Sequence, residues 1–168
     1  MIIFNLPFNI NNIKLMLTIV IDTNILIDAW QDDFSYARRI IDEVVTGNIR
    51  AVASHKIWRE YQLIFDKLIN NSRHYEMAQR FFYAVEEVQP QTRIRVVKYD
   101  QQDNKFFDAA VAGQAEYIIS NDCHLWEIGE YQGIQVKKPE DFWIEYKNKN
   151  DDTGSENWQA WMKNVMGR

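Results

Sequence analysis

Residues 17–30 read Leu-Thr-Ile-Val-Ile-Asp-Thr-Asn-Ile-Leu-Ile-Asp-Ala-Trp, and this stretch decides the fold. Its first five residues are mostly apolar and β-branched and do not alternate, which predicts a strand buried on both faces of a parallel sheet. The run ends at Asp22, followed by polar residues that favour helix starts. Ligands of open α/β sheets bind outside the carboxyl ends of the strands, so Asp22 is a candidate site residue. Taken alone, its carboxylate could equally cap the next helix.

Strands and helices alternate along the rest of the chain. Short apolar runs predict strands at 49–53, 93–99, 117–119 and 134–136. Apolar residues at helical spacing predict helices at 34–46, at 55–69, between the break at 70–72 and Pro90, after Asp103, and at 139–146. This alternation predicts an α/β protein, a three-layer α/β/α sandwich with a mainly parallel central sheet.

The 168 residues suit one folded domain with two flanking segments. Residues 1–15 lack the basic start and cleavage site of a signal peptide, and we interpret them as an N-terminal extension before a domain at 16–147. Residues 148–168 are predicted to be a polar linker and a short C-terminal helix. The apolar side chains of that helix would dock on the domain or on a partner.

Composition excludes several classes of function. A net charge of −5 argues against nucleic-acid binding by overall electrostatics, so any such contact needs a local basic patch or metal ions. The single cysteine, Cys123, allows no internal disulfide and predicts a reducing, cytoplasmic location. The histidines are scattered, which argues against a zinc cluster, and no apolar stretch approaches the roughly 18 residues of a membrane span.

Four carboxylates stand at the ends of predicted elements: Asp22, Glu60, Asp103 and Asp122. Crowded carboxylates repel one another unless cations or protons neutralise them, and oxygen ligands suit Mg²⁺ or Mn²⁺. Such ions activate water for attack on a phosphodiester. The pattern alone remains ambiguous, because a chain with 24 acidic residues places some of them at strand ends in any case.

Three segments resemble the PIN-domain nucleases: Ile19-Val-Ile-Asp-Thr-Asn-Ile-Leu-Ile, Asp103-Asn-Lys-Phe-Phe-Asp-Ala-Ala, and Tyr117-Ile-Ile-Ser-Asn-Asp. Within that family they are most similar to the branch that contains toxins of bacterial toxin–antitoxin systems. The resemblance covers roughly residues 17–145 and implies a PIN-like fold.

The resemblance implies a role for each matching residue. Four acids would bind the metal and carry catalysis: Asp22, Glu60, Asp103 and Asp122. Asn24 and Ser120 would steady these acids through hydrogen bonds. The chain departs from the branch at His124, where a further aspartate is common, so a fifth carboxylate is in doubt.

Several other residues have two interpretations each. Asp108 is either an auxiliary acid or a helix-surface residue. Lys105 and Arg59 lead the candidates for holding phosphates, with Lys56, Lys137 and Lys138 behind them, although each also suits a solvated surface. Trp30 and Trp126 would either stack on unpaired bases or belong to the core.

The sequence therefore predicts an Mg²⁺- or Mn²⁺-dependent endoribonuclease that cleaves RNA phosphodiester bonds. The resemblance further implies a small antitoxin protein as partner and is compatible with a homodimer. The alternative is a catalytically weak or inactive PIN-fold module that binds protein or RNA. A metal-dependent phosphatase is disfavoured, because its motif wants a second aspartate where this chain has Asn24.

Overall fold

A computed structural model describes residues 16–150 of the chain. The predicted extension at 1–15 and the predicted C-terminal helix lie outside the described residues. Six strands are present in this part of the chain: β1 Thr18–Ile21, β2 Arg50–Ser54, β3 Glu86–Val88, β4 Tyr117–Ile119, β5 Glu130–Tyr131 and β6 Ile134–Lys137. The helices there are α1 Thr23–Gln31, α2 Tyr36–Val45, α3 His55–Leu68, α4 Ser72–Ala84, α5 Asn104–Gly113, α6 Cys123–Trp126 and α7 Pro139–Asn150. None of these helices is long and apolar enough to cross a membrane.

The strands form one sheet in the order β3-β2-β1-β4-β6-β5. All neighbouring strands run parallel except the β5–β6 pair, so the predicted three-layer α/β sandwich with a mainly parallel sheet is confirmed. The chain first adds strands on one side of β1 and then continues on its other side with β4. This reversal places the carboxyl ends of β1 and β4 beside each other at a topological switch point, where open α/β sheets bind ligands.

Aromatic residues from three helices form a large part of the core. Trp30 of α1 lies with its ring centroid 4.5 Å from that of Phe65 in α3. The ring centroid of Phe81 in α4 lies 5.8 Å from that of Phe65 and 6.3 Å from that of Trp30. Only 5% of Trp30 is exposed, so of its two interpretations the core assignment is correct.

The predicted strand at 93–99 is wrong. The third strand is β3, Glu86–Val88, and residues 93–97 have no strand partner. The backbone N–H of Ile94 instead donates to Asp108 Oδ1 at 2.6 Å. The N–H groups of Val96 and Val97 both donate to Asn104 Oδ1, at 2.8 and 2.9 Å. Side chains of α5 thus replace a neighbouring strand as the hydrogen-bond acceptors of this segment.

Helix α5 lies very close to the sheet. A Cβ atom on Gly113 would lie 2.5 Å from Cγ2 of Val52 in β2, and Ala109 and Ala110 are fully buried. Small residues therefore let α5 approach the sheet closely. Pro139 starts the last helix as expected, but this helix continues to Asn150, so Asn148 is helical and not part of a linker.

Candidate functional site

Asp22 and Ser120 meet where β1 and β4 end. The Asp22 N–H donates to the Ile119 carbonyl at 2.9 Å, which extends the parallel ladder by one residue. The fully buried Ser120 hydroxyl donates to Asp22 Oδ2 at 2.5 Å. Asp22 is only 7% exposed, so this hydroxyl fixes the orientation of a nearly buried carboxylate.

The same hydroxyl also holds the next acid. Ser120 Oγ accepts from the Asp122 N–H at 2.9 Å, while Asp122 Oδ1 accepts from the His124 N–H at 2.8 Å and caps α6. Asn24 Oδ1 accepts from the Asn121 N–H at 3.5 Å, which links α1 to this loop. Ser120 therefore contacts Asp22 and the Asp122 N–H directly, whereas the Asn24 side chain contacts Asn121 of the loop that precedes Asp122. The supporting roles of Asn24 and Ser120 stay predictions.

Asp22 also caps α1, because its Oδ1 accepts from the Asn24 N–H at 3.5 Å. The capping interpretation and the site interpretation are therefore compatible. Burial raises the pKa of Asp22, and the Ser120 hydrogen bond opposes that rise.

Asp103 stands just before α5 at the N-cap position, but its side chain makes no capping hydrogen bond. Burial is the main cause that raises the pKa of Asp103 to about 6, and the charges of Asp100, Asp122 and Asp22 add to the increase. Asp103 therefore lies within electrostatic range of both acids at the strand ends. The negative charge of Asp122 raises the pKa of both Asp22 and Asp103, and carboxylates crowded in this way favour the binding of a cation.

Glu60 joins this group through Lys105. Lys105 Nζ donates to Glu60 Oε1 at 2.8 Å, and the Thr23 hydroxyl donates to Glu60 Oε2 at 3.3 Å. The Lys105 side chain is only 13% exposed, and its charge lowers the pKa of both Asp22 and Asp103. Lys105 is therefore a fixed cation among the acids.

The chemistry of the donors fits a hard divalent ion, because the four predicted ligands offer carboxylate oxygens alone. Within residues 16–150, the only three potential ligand residues with donor atoms within 4.8 Å of one another are Asp122, Cys123 and His124. The four acids do not form so tight a group by themselves. Asp22 and Asp122 share the Ser120 hydroxyl, and Asp103 and Glu60 adjoin them through charge and through Lys105.

Asp108 has a structural contact that neither sequence interpretation included. Its half-buried carboxylate accepts the Ile94 N–H and so fixes the segment before α5. Lys137 Nζ lies 3.3 Å from Glu145 Oε2 of α7, and the Lys137 carbonyl accepts from the Ser120 N–H at 3.0 Å. Arg59 and Lys56 are exposed on α3 and line a groove that also contains Glu60.

Trp126 and Tyr61 support the site in ways that the sequence did not indicate. Trp126 Nε1 donates to the Ser120 carbonyl at 2.8 Å, and Lys138 Nζ lies 3.8 Å from the centre of the Trp126 ring. The buried Tyr61 hydroxyl donates to the Ile21 carbonyl, next to Asp22. The only available signal was that a buried tyrosine or tryptophan needs a polar partner.

Comparison with known proteins adds two findings. A family model described as a PIN domain matches residues 18–124, more than half of the 168-residue chain. The fold is similar to that of a chain in the crystal structure of VapBC2 from Rickettsia felis bound to a DNA fragment from their promoter. The TM-score is 0.52 with 13% identity, covering 73% of this chain and 98% of that chain, so this likeness concerns the fold alone. No curated protein matches the chain.

Proposed function

Because the chain belongs to the PIN-domain family of nucleases, we propose that it is an Mg²⁺- or Mn²⁺-dependent endoribonuclease that hydrolyses RNA phosphodiester bonds in the cytoplasm. The observation that carries the proposal is the buried Asp22, oriented by Ser120 and electrostatically coupled to Asp103 and Asp122. Asp22, Ser120 and Asp122 lie just past the carboxyl ends of β1 and β4, at the switch point of the sheet, and Asp103 stands at the start of α5.

Asp22, Asp103, Asp122 and Glu60 would hold the divalent ion. When bound, such an ion lowers the pKa of a water and stabilises the charge that develops on the phosphodiester. Ser120 keeps Asp22 from rotating away, because one hydroxyl serves both Asp22 and the Asp122 N–H. Lys105 keeps Glu60 in place and presents a positive charge beside the acids, where it would attract a phosphate.

We expect Asp22→Asn to abolish cleavage while the fold is preserved, because Asn keeps the shape of the side chain but removes the negative charge. The measurement is cleavage of one single-stranded and one structured RNA by the full chain, with Mn²⁺ and with EDTA. The rate in the variant should fall at least about 100-fold. Asp66→Asn, which changes an exposed acid of α3, is the matched control and should cleave normally. Cleavage by Asp22→Asn at the wild-type rate would refute the mechanism.

A binding module without catalysis is the competing function. The Lys105–Glu60 ion pair favours it, because this pair already neutralises one of the four carboxylates. Calorimetric titration with Mn²⁺ separates the two functions. A nuclease should take up Mn²⁺ in a manner that requires Asp22, whereas a pure binding module should show no such uptake.

A small antitoxin expressed with the chain is the protein partner that we propose. The likeness to VapBC2 supports this partner, as does the resemblance of the three motifs to toxins of toxin–antitoxin systems. A homodimer is a separate proposal, and light scattering of the purified chain tests it.

A further inference from the structure

A groove of about 810 Å³ adjoins the acids between α3 and the segment at 93–98. Two acids, Glu60 and Asp108, line it, but six cationic residues outnumber them. These residues are Lys56, Arg59, Arg93, Arg95, Lys98 and Lys105. We name this feature the cationic groove. Its local charge is opposite in sign to the net charge of −5 of the whole chain.

One wall of the cationic groove is held in place by α5. Asn104 accepts from the N–H groups of Val96 and Val97, and its own amide donates back to the Val97 carbonyl at 2.9 Å. Val97 is buried, whereas Arg93 and Arg95 are exposed at alternate positions of this extended segment. The backbone that carries the two arginines is therefore held in place, and the helix that holds it begins directly after Asp103.

Tyr99 connects this wall to the acids. It follows Lys98 and is 85% exposed, so its ring is open to solvent. The ring centroid lies 6.2 Å from that of His124, at an interplanar angle of 30°. His124 is two residues beyond Asp122, so Tyr99 lies next to Lys98 of the groove in sequence and close to the loop that carries Asp122 in space.

We propose that the cationic groove binds the backbone of single-stranded RNA, with one unpaired base stacked on Tyr99. Arginine guanidinium groups match phosphate oxygens in a bidentate geometry, and exposed aromatic rings stack on any base that is not paired. An acidic protein would also bind to the cationic side chains, but its binding would not require the exposed aromatic ring of Tyr99. The proposal extends the proposed nuclease, since this strand would be its substrate, but RNA binding can be measured without cleavage.

The role of the two arginines is tested by measuring the affinity of the full chain for a fluorescein-labelled single-stranded 12-mer RNA. Fluorescence anisotropy gives the dissociation constant in EDTA at several salt concentrations. Arg93→Gln/Arg95→Gln should weaken binding about tenfold at low salt. It should also reduce the slope of log K against log salt by about 1.4, since each lost phosphate contact contributes about 0.7 for a single strand. Arg80→Gln/Lys147→Gln removes the same charge from residues that line other cavities and should bind like wild type.

The test of the stacking position is a pair of substitutions at Tyr99. Tyr99→Ala should weaken binding of the 12-mer about tenfold, because the base loses its stacking partner, whereas Tyr99→Phe should retain wild-type affinity. A duplex of the same sequence should show no difference between these two variants, since its bases are already stacked.

The groove assignment is overturned if Arg93→Gln/Arg95→Gln and the control pair bind the 12-mer equally, or if wild type does not bind it. Displacement of the RNA by poly-glutamate of equal charge at equal concentration would also overturn it and assign the groove to an acidic protein. Cleavage with Mn²⁺ distinguishes the two proposals. Binding through the groove without any cleavage overturns the nuclease alone, and cleavage without a role for the groove overturns the groove alone.

Discussion

At the scale of single residues, the Asp103 carboxylate lies near other acids and makes no hydrogen bond to the start of α5. In the unfolded chain its pKa is the ordinary 3.8, and the fold raises it to about 6, chiefly by burial. The folded protein therefore binds the proton more tightly than the unfolded chain does. Without metal, this residue lowers the free energy of unfolding as the pH rises from about 4 to about 6.

Asp103→Asn should consequently stabilise the metal-free protein at pH 8 by about 1 kcal/mol, a value reduced for solvent screening of a partly exposed group. The gain should disappear near pH 3, where Asp103 is protonated in both states. Urea unfolding in EDTA at the two pH values measures this, with Asp66→Asn as the control. An equal gain at both pH values would contradict the charge-based explanation.

Site residues that lie close together in the sequence were predictable, whereas contacts between residues far apart in the sequence were not. Asp22 and Asn24 were identified within one motif, as were Ser120 and Asp122. Their roles remain predictions, although the structure places them side by side. Glu60 and Lys105 were both candidate site residues, but their pairing across 45 residues was not predictable, because neither motif indicates that these two charges meet.

At the scale of elements, α5 connects the parts of the site. Its residues Asn104 and Asp108 hold the groove wall, and Lys105 pairs with Glu60 on α3. The sequence predicted this helix correctly. The strand predicted at 93–99 was wrong, because this segment has the sequence pattern of a strand. Nothing in it indicates that its N–H groups donate to two side chains of the following helix.

Gly113→Ala tests the close packing of α5 on β2. The new Cβ would lie 2.5 Å from Cγ2 of the buried Val52, so the helix or the strand must shift. We expect the free energy of unfolding to fall by about 2 kcal/mol, although alanine is the better helix former. Urea unfolding measures the loss. In a Val52→Ala background most of it should vanish, and an undiminished loss there would rule out the steric cause.

At the scale of the whole molecule, the fold separates charge into two neighbouring regions. The carboxyl ends of β1 and β4 collect acids, while the cationic groove next to them collects lysine and arginine. The net charge of −5 conceals this separation. The alternating pattern of elements predicted the sheet, but composition could not predict the groove, because its cations come from three distant segments.

Mn²⁺ should therefore stabilise the whole fold. An ion that binds only the folded chain raises the free energy of unfolding by about 2.7 kcal/mol at 100 times its dissociation constant. Scanning calorimetry should show a higher Tm for wild type and Asp66→Asn in Mn²⁺. Asp22→Asn should show little change, and a full increase in that variant would place the ion elsewhere.

The hydrogen bonds between α5 and the groove wall also have a kinetic consequence. The N–H groups of Ile94, Val96 and Val97 donate to side chains and not to a strand, so they are protected only while the first turns of α5 are formed. Their exchange with deuterium would therefore follow the local opening of that helix and not the opening of the sheet. The exchange rates of these three amides in the cationic groove thus measure how often the helix that begins at Asn104, directly after Asp103, opens.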